Sequence, residues 1–316
     1  MPKPNRHYET ERVLRNGSSG MCYAFGVPRI VGVHGIAQQF KGGYELGSVW
    51  YDGIRDGLRA AGHEELAQGL AAEDVRVSFF GNLFRPGGAM AASDPPYTAA
   101  DLTPGEERDL LRVLYEAAVK QDPSLAAPAG AMAPGREAVQ FMLARLLRSR
   151  SFAGIAERAM VGNLKQVTAF LSDRPVKDKV MGRVHDAIDA STCVLVGHSL
   201  GSVVAYEYLC RYSPPSVRLL VTLGSPLGIP NLVFERLTPA PIHGKGAWPG
   251  TAAHWVNVAD ANDIVAMRKR LADLFGVSSA GEAVADRSVE NGGEPHSIAR
   301  YLNTDATGSA LASILT

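Results

Sequence analysis

The sequence predicts an α/β protein: a mostly parallel sheet covered on both faces, interrupted by an all-helical block. Three observations carry this. Short apolar runs of strand type recur at residues 29–34, 75–80, 194–196, 217–223 and 255–259. Segments with helical apolar spacing separate them, as crossover connections between parallel strands require. Between residue 85 and about 172 the strand pattern disappears.

Each element has its own signal. Residues 1–27 are polar with a few β-type residues and read as an N-terminal extension, an added edge hairpin. After the first strand, Leu46, Trp50, Ile54 and Leu58 recur every four residues, one face of a helix that Gly62 stops. The pattern breaks at Arg85-Pro86-Gly87-Gly88. Thr103-Pro104-Gly105-Glu106 predicts a capping box with proline at the first helical position, ahead of Leu110, Leu111 and Leu114. A Pro/Ala/Gly stretch, 123–135, leads to a second helix with Val139, Leu143, Leu146 and Leu147 on one face, and 152–171 reads as a third. The block 85–172 is therefore expected to be a helical cap or lid inserted within one domain spanning 1–316. Asp173 caps the next helix, whose buried stripe is Val176, Val180, Val184 and Ile188. Residues 228–253 form a Pro/Gly-rich excursion, 283–289 offers a final strand, and 298–315 reads mostly as helix.

Composition excludes several classes. Hydrophobic residues are 46% and charged residues 20% of 316, which suits a water-exposed protein with a real core. Formal net charge is zero, so nothing points to nucleic acid. No run approaches the ~20 apolar residues of a membrane span. The polar N-terminus shows no signal-peptide core, which makes the cytoplasm the expected location. Cys22, Cys193 and Cys210 are odd in number and far apart, so they read as reduced packing residues.

The most informative stretch is Gly197-His198-Ser199-Leu200-Gly201, set between the apolar run Val194-Leu195-Val196 and a helix-competent segment, 203–212. Strand, sharp turn and helix make this G-x-S-x-G a nucleophile elbow. The serine stands at the tip of a strained turn, with glycines where a Cβ would collide. Serine is a poor nucleophile at neutral pH. It needs a base, a carboxylate to orient that base, and donors for the oxyanion.

Among eight histidines, His296 is the best-placed base. It lies in the loop Asn291-Gly292-Gly293-Glu294-Pro295-His296-Ser297, after the last possible strand. His198 sits in the elbow but points away from its neighbour's hydroxyl, and His34 reads as a structural residue bonding its own loop. For the acid, Asp260-Ala261-Asn262-Asp263 follows a strand and offers Asp260 or Asp263; Asp260 can instead form the turn. The same segment lacks the central glycine and distal glutamate of a calcium loop. For the oxyanion, Val33-His34-Gly35-Ile36-Ala37 follows the first core strand. The peptide N–H groups of Ile36 and Leu200 can then meet the developing charge. No metal site and no organic cofactor is expected.

With these residues in the order oxyanion loop, serine, aspartate, histidine, the chain resembles the α/β-hydrolase superfamily. The carrying motifs are Val31-Gly32-Val33-His34-Gly35-Ile36, Gly197-His198-Ser199-Leu200-Gly201, Leu223-Gly224-Ser225-Pro226-Leu227-Gly228, Asp260-Ala261-Asn262-Asp263 and His296-Ser297. The Gly-His-Ser-Leu-Gly and Leu-Gly-Ser-Pro forms are similar to those of lipases and esterases. The resemblance covers about 29–84 and 174–316. It implies Ser199 as nucleophile, Asp263 as acid, His296 as base, and Ile36 and Leu200 as oxyanion donors. The helical block departs from it, because caps in this superfamily more often follow a later strand.

The expected activity is hydrolysis of a carboxylic ester, lipid ester or thioester through an acyl-enzyme, on a small-molecule or lipid-like acyl substrate. Acyl transfer or amide cleavage by the same residues is the alternative enzyme. A non-catalytic binding protein of the same fold is the alternative of another class. Arg136, Arg145, Arg148, Arg150 and Arg158 against Glu137 and Glu157 suggest a basic amphipathic helix in the block. Such a helix could give the cap peripheral contact with an anionic membrane, or be only a solvated face.

Overall fold

The computed structural model describes residues 29–36, 38, 42–84, 97–127, 135–152 and 155–316. Six strands form one sheet: β1 (Ile30–Val33), β2 (Val75–Ser78), β3 (Val194–His198), β4 (Leu219–Leu223), β5 (His254–Asp260) and β6 (Ala285–Val289). Their spatial order is β2-β1-β3-β4-β5-β6 and every neighbouring pair is parallel. The helices are α1 (Gly43–Ala60), α2 (Glu64–Gly69), α3 (Glu106–Gln121), α4 (Arg136–Leu146), α5 (Glu157–Ser172), α6 (Arg174–Ala187), α7 (Leu200–Tyr212), α8 (Ile298–Leu302) and α9 (Asp305–Leu315).

The central strands are buried along their whole length because helices lie on both sides. Side chains alternate between the two layers. Leu195 and Leu220 join a core with α6, α7 and the helical block, whereas Val194, Val196, Leu219 and Val221 pack with Trp50, Ile54 and Leu58 of α1 and Leu311 of α9. The α1 face is the one its four-residue spacing predicts. It meets α9 at backbone contact: a Cβ on Gly308 would lie 1.9 Å from the Gly57 carbonyl oxygen.

Several boundaries differ from expectation. The segment 1–27 lies outside the described residues, as does Cys22; Cys193 and Cys210 are free thiols. The second strand ends at Ser78, because the Phe80 N–H turns to donate to His34 Nε2 at 3.1 Å. The capping box at Thr103 does not form. Gly105, at φ 94°, precedes the first residue of α3, so Pro104 stays outside the helix, and the Thr103 N–H donates to Glu107 instead. Asp173 caps α6 as expected, accepting from the Val176 N–H. The C-terminal helix is two helices, because Thr304 caps α9 through the Thr307 N–H.

The basic amphipathic helix is also corrected. Arg136 and Arg145 lie on α4, which ends at Leu146; Arg148 and Arg150 lie in the following turn, and Arg158 starts α5. The Ser149 hydroxyl donates to the Leu146 carbonyl and closes α4 there. The five arginines therefore share no continuous helical face.

Among the described residues of 97–172 there is no strand. The end of α3 and the turn after α4 lie against the loop that follows β5. Gln121 donates to the Ala261 carbonyl (3.4 Å) and Ser151 to the Asn262 carbonyl (3.3 Å). Lys165 bridges Glu107 at 2.9 Å, and Arg236, after β4, bridges Glu106 at 2.7 Å.

Candidate active site

Parallel strands present their carboxyl ends at one edge, and ligands of open α/β sheets bind there. Four loops at that edge, after β1, β3, β5 and β6, carry the site residues expected from the sequence.

Ser199 occupies the turn between β3 and α7 with φ 53°, a left-handed backbone in a residue with a side chain. The two motif glycines make this turn possible. A Cβ on Gly197 would lie 2.5 Å from Ser202 Cα, and one on Gly201 would lie 2.0 Å from the Val33 carbonyl oxygen. Ser202 braces the turn by donating to the Ser199 carbonyl at 2.6 Å and sharing a bond with the Ser225 hydroxyl.

His296 Nε2 lies 3.0 Å from Ser199 Oγ, and His296 Nδ1 lies 2.8 Å from Asp263 Oδ2. A carboxylate only accepts, so Nδ1 carries the proton and Nε2 offers its lone pair to the serine hydroxyl. Asp263 is fully buried and its carboxylate is saturated. Oδ2 accepts from His296 and from the Tyr301 hydroxyl at 2.7 Å; Oδ1 accepts from the N–H groups of Val265 and Ala266. Burial pushes this carboxyl up, but His296, Tyr301 and Lys269 outweigh it and hold Asp263 below the usual carboxylate range.

Asp260, the other candidate acid, does not touch His296. Its Oδ1 accepts from the Asn262 N–H at 2.6 Å and its Oδ2 from the Asn291 N–H, so it forms the turn that presents Asp263.

Tyr301, on α8, was not legible as a site residue. Its hydroxyl accepts from the Asp260 N–H at 3.0 Å and donates to Asp263. Burial and the Asp263 charge raise the phenol, which keeps it protonated and a donor. Gly224, which follows β4 and belongs to the 223–228 motif, is a second residue to which the sequence assigned no role. With φ 53°, its missing Cβ would fall 2.7 Å from Asp263 Oδ2 and 3.2 Å from His296 Nδ1, so the Asp263–His296 pair passes directly over the strand end.

The elbow histidine is structural. His198 Nε2 donates to the His296 carbonyl at 3.1 Å, and burial pushes the imidazole down to about 3, with His296 adding to the effect. His34 accepts from the Phe80 N–H and donates through Nδ1 to the Gly35 carbonyl at 2.6 Å. Burial holds it at about 4, against the opposing pull of that bond.

The loop after β1 touches the serine. A Cβ on Gly35 would lie 2.8 Å from Ser199 Cβ. Ile36 and Leu200 line the same cavity as Ser199 and His296. Leu200 is the first residue of α7, so its N–H has no intrahelical acceptor and stands at the positive end of the helix dipole.

The cavity is small, about 50 Å³, and almost wholly apolar. Its far wall is the helical block, through Leu110 and Leu114 of α3, Phe152, and Met160, Asn163, Leu164 and Val167 of α5. The Phe152 ring stands 6.5 Å from the His296 ring, edge-on. Among the described residues no group of three His, Cys, Asp or Glu side chains is placed to hold a metal ion, and no helix is long and apolar enough to cross a membrane. Comparisons with protein-family models, with curated proteins and with solved structures find no match to this chain.

Proposed function

We propose that the protein is a serine hydrolase of the α/β-hydrolase type that cleaves a carboxylic ester through an acyl-enzyme. One observation carries the reading: the unbroken relay Ser199 Oγ, His296, Asp263, with separations of 3.0 and 2.8 Å, at the carboxyl edge of a parallel sheet. It is supported by the left-handed serine turn and by an apolar cavity opening on the same oxygen.

In this reading Ser199 Oγ attacks the ester carbonyl carbon while His296 Nε2 takes its proton. The carbonyl π electrons move to oxygen, and the N–H groups of Leu200 and Ile36 receive that charge. When the carbonyl re-forms, the C–O bond to the alcohol breaks and His296 protonates the departing oxygen. Water then attacks the acyl-enzyme, giving its proton to His296, and His296 returns it to Ser199 as the acid leaves. Asp263 fixes the imidazole tautomer and offsets its positive charge in each half-reaction.

The helices of 97–172 act as a cap in this scheme. They wall the acyl pocket and keep water from the acyl-enzyme until turnover. With so small a cavity, the preferred acyl groups are short, and a longer chain requires α3 and α5 to shift.

A fluorophosphonate probe tests the reading. The parent should label, Ser199→Ala should not, and His296→Ala should label at least about 100-fold more slowly, the scale of general-base catalysis. Equal labelling of all three, or none, would remove the assignment.

A further inference from the structure

We infer that Asn163 binds a hydroxyl on the acyl part of the substrate, which makes short hydroxyacyl esters the preferred class. This deepens the serine-ester reading and rests on it.

Met160, Asn163, Leu164 and Val167 lie three, four and seven residues apart, one stripe of α5, and all four line the cavity beside Ser199. Three of them are apolar. Asn163 is 2% exposed, and its side-chain oxygen has no hydrogen-bond partner. A buried amide oxygen left unpaired weakens the fold, and leucine at this position would complete the stripe without that cost. The other polar side chains of the wall, Ser199 and His296, are engaged with each other. The missing partner therefore belongs to what fills the cavity.

Its chemistry follows from the surroundings. A carboxylate or ammonium would lose its water here with no opposite charge in the wall, so the group is neutral. An amide side chain can turn end for end, and a hydroxyl answers either end because it both donates and accepts. It also does so with one heavy atom, which a cavity of about 50 Å³ admits more readily than a planar amide.

The test uses the full chain and paired p-nitrophenyl esters: 3-hydroxybutanoate against butanoate, and 6-hydroxyhexanoate against hexanoate. The readout is the ratio of kcat/KM values within each pair, which does not depend on the folded fraction. The parent should favour one hydroxyacyl ester on the order of 10-fold or more, as sites built to pair a substrate hydroxyl do. Asn163→Leu and Asn163→Ala should bring that ratio to about one. A parent ratio of one in both pairs, or the same ratio in parent and variants, overturns the inference. Fluorophosphonate labelling of Ser199 is run alongside. Labelling with an unchanged ratio removes only the hydroxyl subsite, and no labelling removes both readings.

Discussion

At the scale of single residues, Tyr301 gives the sharpest expectation. It joins Asp260, the last residue of β5, to Asp263 in the loop that follows, accepting from the Asp260 N–H and donating to Asp263 Oδ2, the oxygen that also faces His296. Phenylalanine would keep the ring and remove one donor from that oxygen. The less shielded charge on Oδ2 then attracts the imidazolium more strongly, while the carboxylate, having lost one anchor, orients His296 less firmly. Tyr301→Phe should lower kcat about tenfold with KM little changed, a loss of about 1.4 kcal/mol in transition-state stabilisation. The acid limb of the kcat/KM profile should also move to higher pH. An unchanged profile would reduce Tyr301 to packing. The sequence made Ser199, His296 and Asp263 legible because their motifs follow strands in a fixed order. Tyr301 carries no such mark, and Gly224, although it belongs to the Leu223-Gly224-Ser225-Pro226-Leu227-Gly228 motif, carries no sign of the role it has there. Their importance comes from proximity to Asp263 across 38 and 39 residues of chain, and only the folded edge of the sheet reveals it. The choice between Asp260 and Asp263 was hidden for a related reason: both lie at the carboxyl end of β5, and the direction of each carboxylate is set by the N–H groups that the turn offers it.

At the scale of elements, α1 shows why apolar spacing was readable and close backbone contact was not. Leu46, Trp50, Ile54 and Leu58 announce the buried face. The glycines of the same helix look alike in sequence yet do opposite things. Gly57 sits under Gly308 of α9, where a Cβ on Gly308 would meet the Gly57 carbonyl at 1.9 Å. A Cβ on Gly47 meets nothing within 4 Å. Gly308→Ala should therefore force the helices apart and destabilise the protein by about 2–3 kcal/mol, the scale of overpacking. Gly47→Ala should stabilise it by about 0.5–1 kcal/mol, because alanine gives up less backbone freedom. Urea unfolding of both variants checks the pair, and shifts of the same sign would contradict the packing described for α1 and α9. Helix ends were the less legible part of the fold. The boundary of α3 depends on Gly105 at φ 94°, and the break between α8 and α9 depends on a side-chain cap at Thr304. Both are local hydrogen-bonding outcomes that spacing does not encode.

At the scale of the whole molecule, the sequence announced the strands but not their order, since alternation says that a strand is buried without saying beside which neighbour. The sheet places β1 next to β3, and so brings two buried histidines, His34 and His198, to the same edge. Neither ring is held as a cation there: His34 Nε2 accepts from the Phe80 N–H, which a protonated nitrogen cannot do, and the ring of His198 lies 4.9 Å from that of His296. Burial sets them at about 4 and about 3, against about 6.5 in an unfolded chain. The folded protein thus binds fewer protons than the unfolded one between these values. Their stabilising contribution is complete above pH 6.5 and is lost as pH falls toward 4 and 3. Between pH 6.5 and 5 the loss should be about 2 kcal/mol for each histidine. Asp263, held low, adds its own loss only further down, below the usual carboxylate range. Urea midpoints measured at pH 7, 6 and 5 should therefore decline steadily, and His34→Gln should decline less steeply while starting lower, because glutamine cannot reproduce both bonds of the imidazole. A midpoint flat from pH 7 to 5 would mean that the edge of the sheet opens enough to let both rings take a proton, and the closed cavity around Ser199 would then be only one member of a broader ensemble.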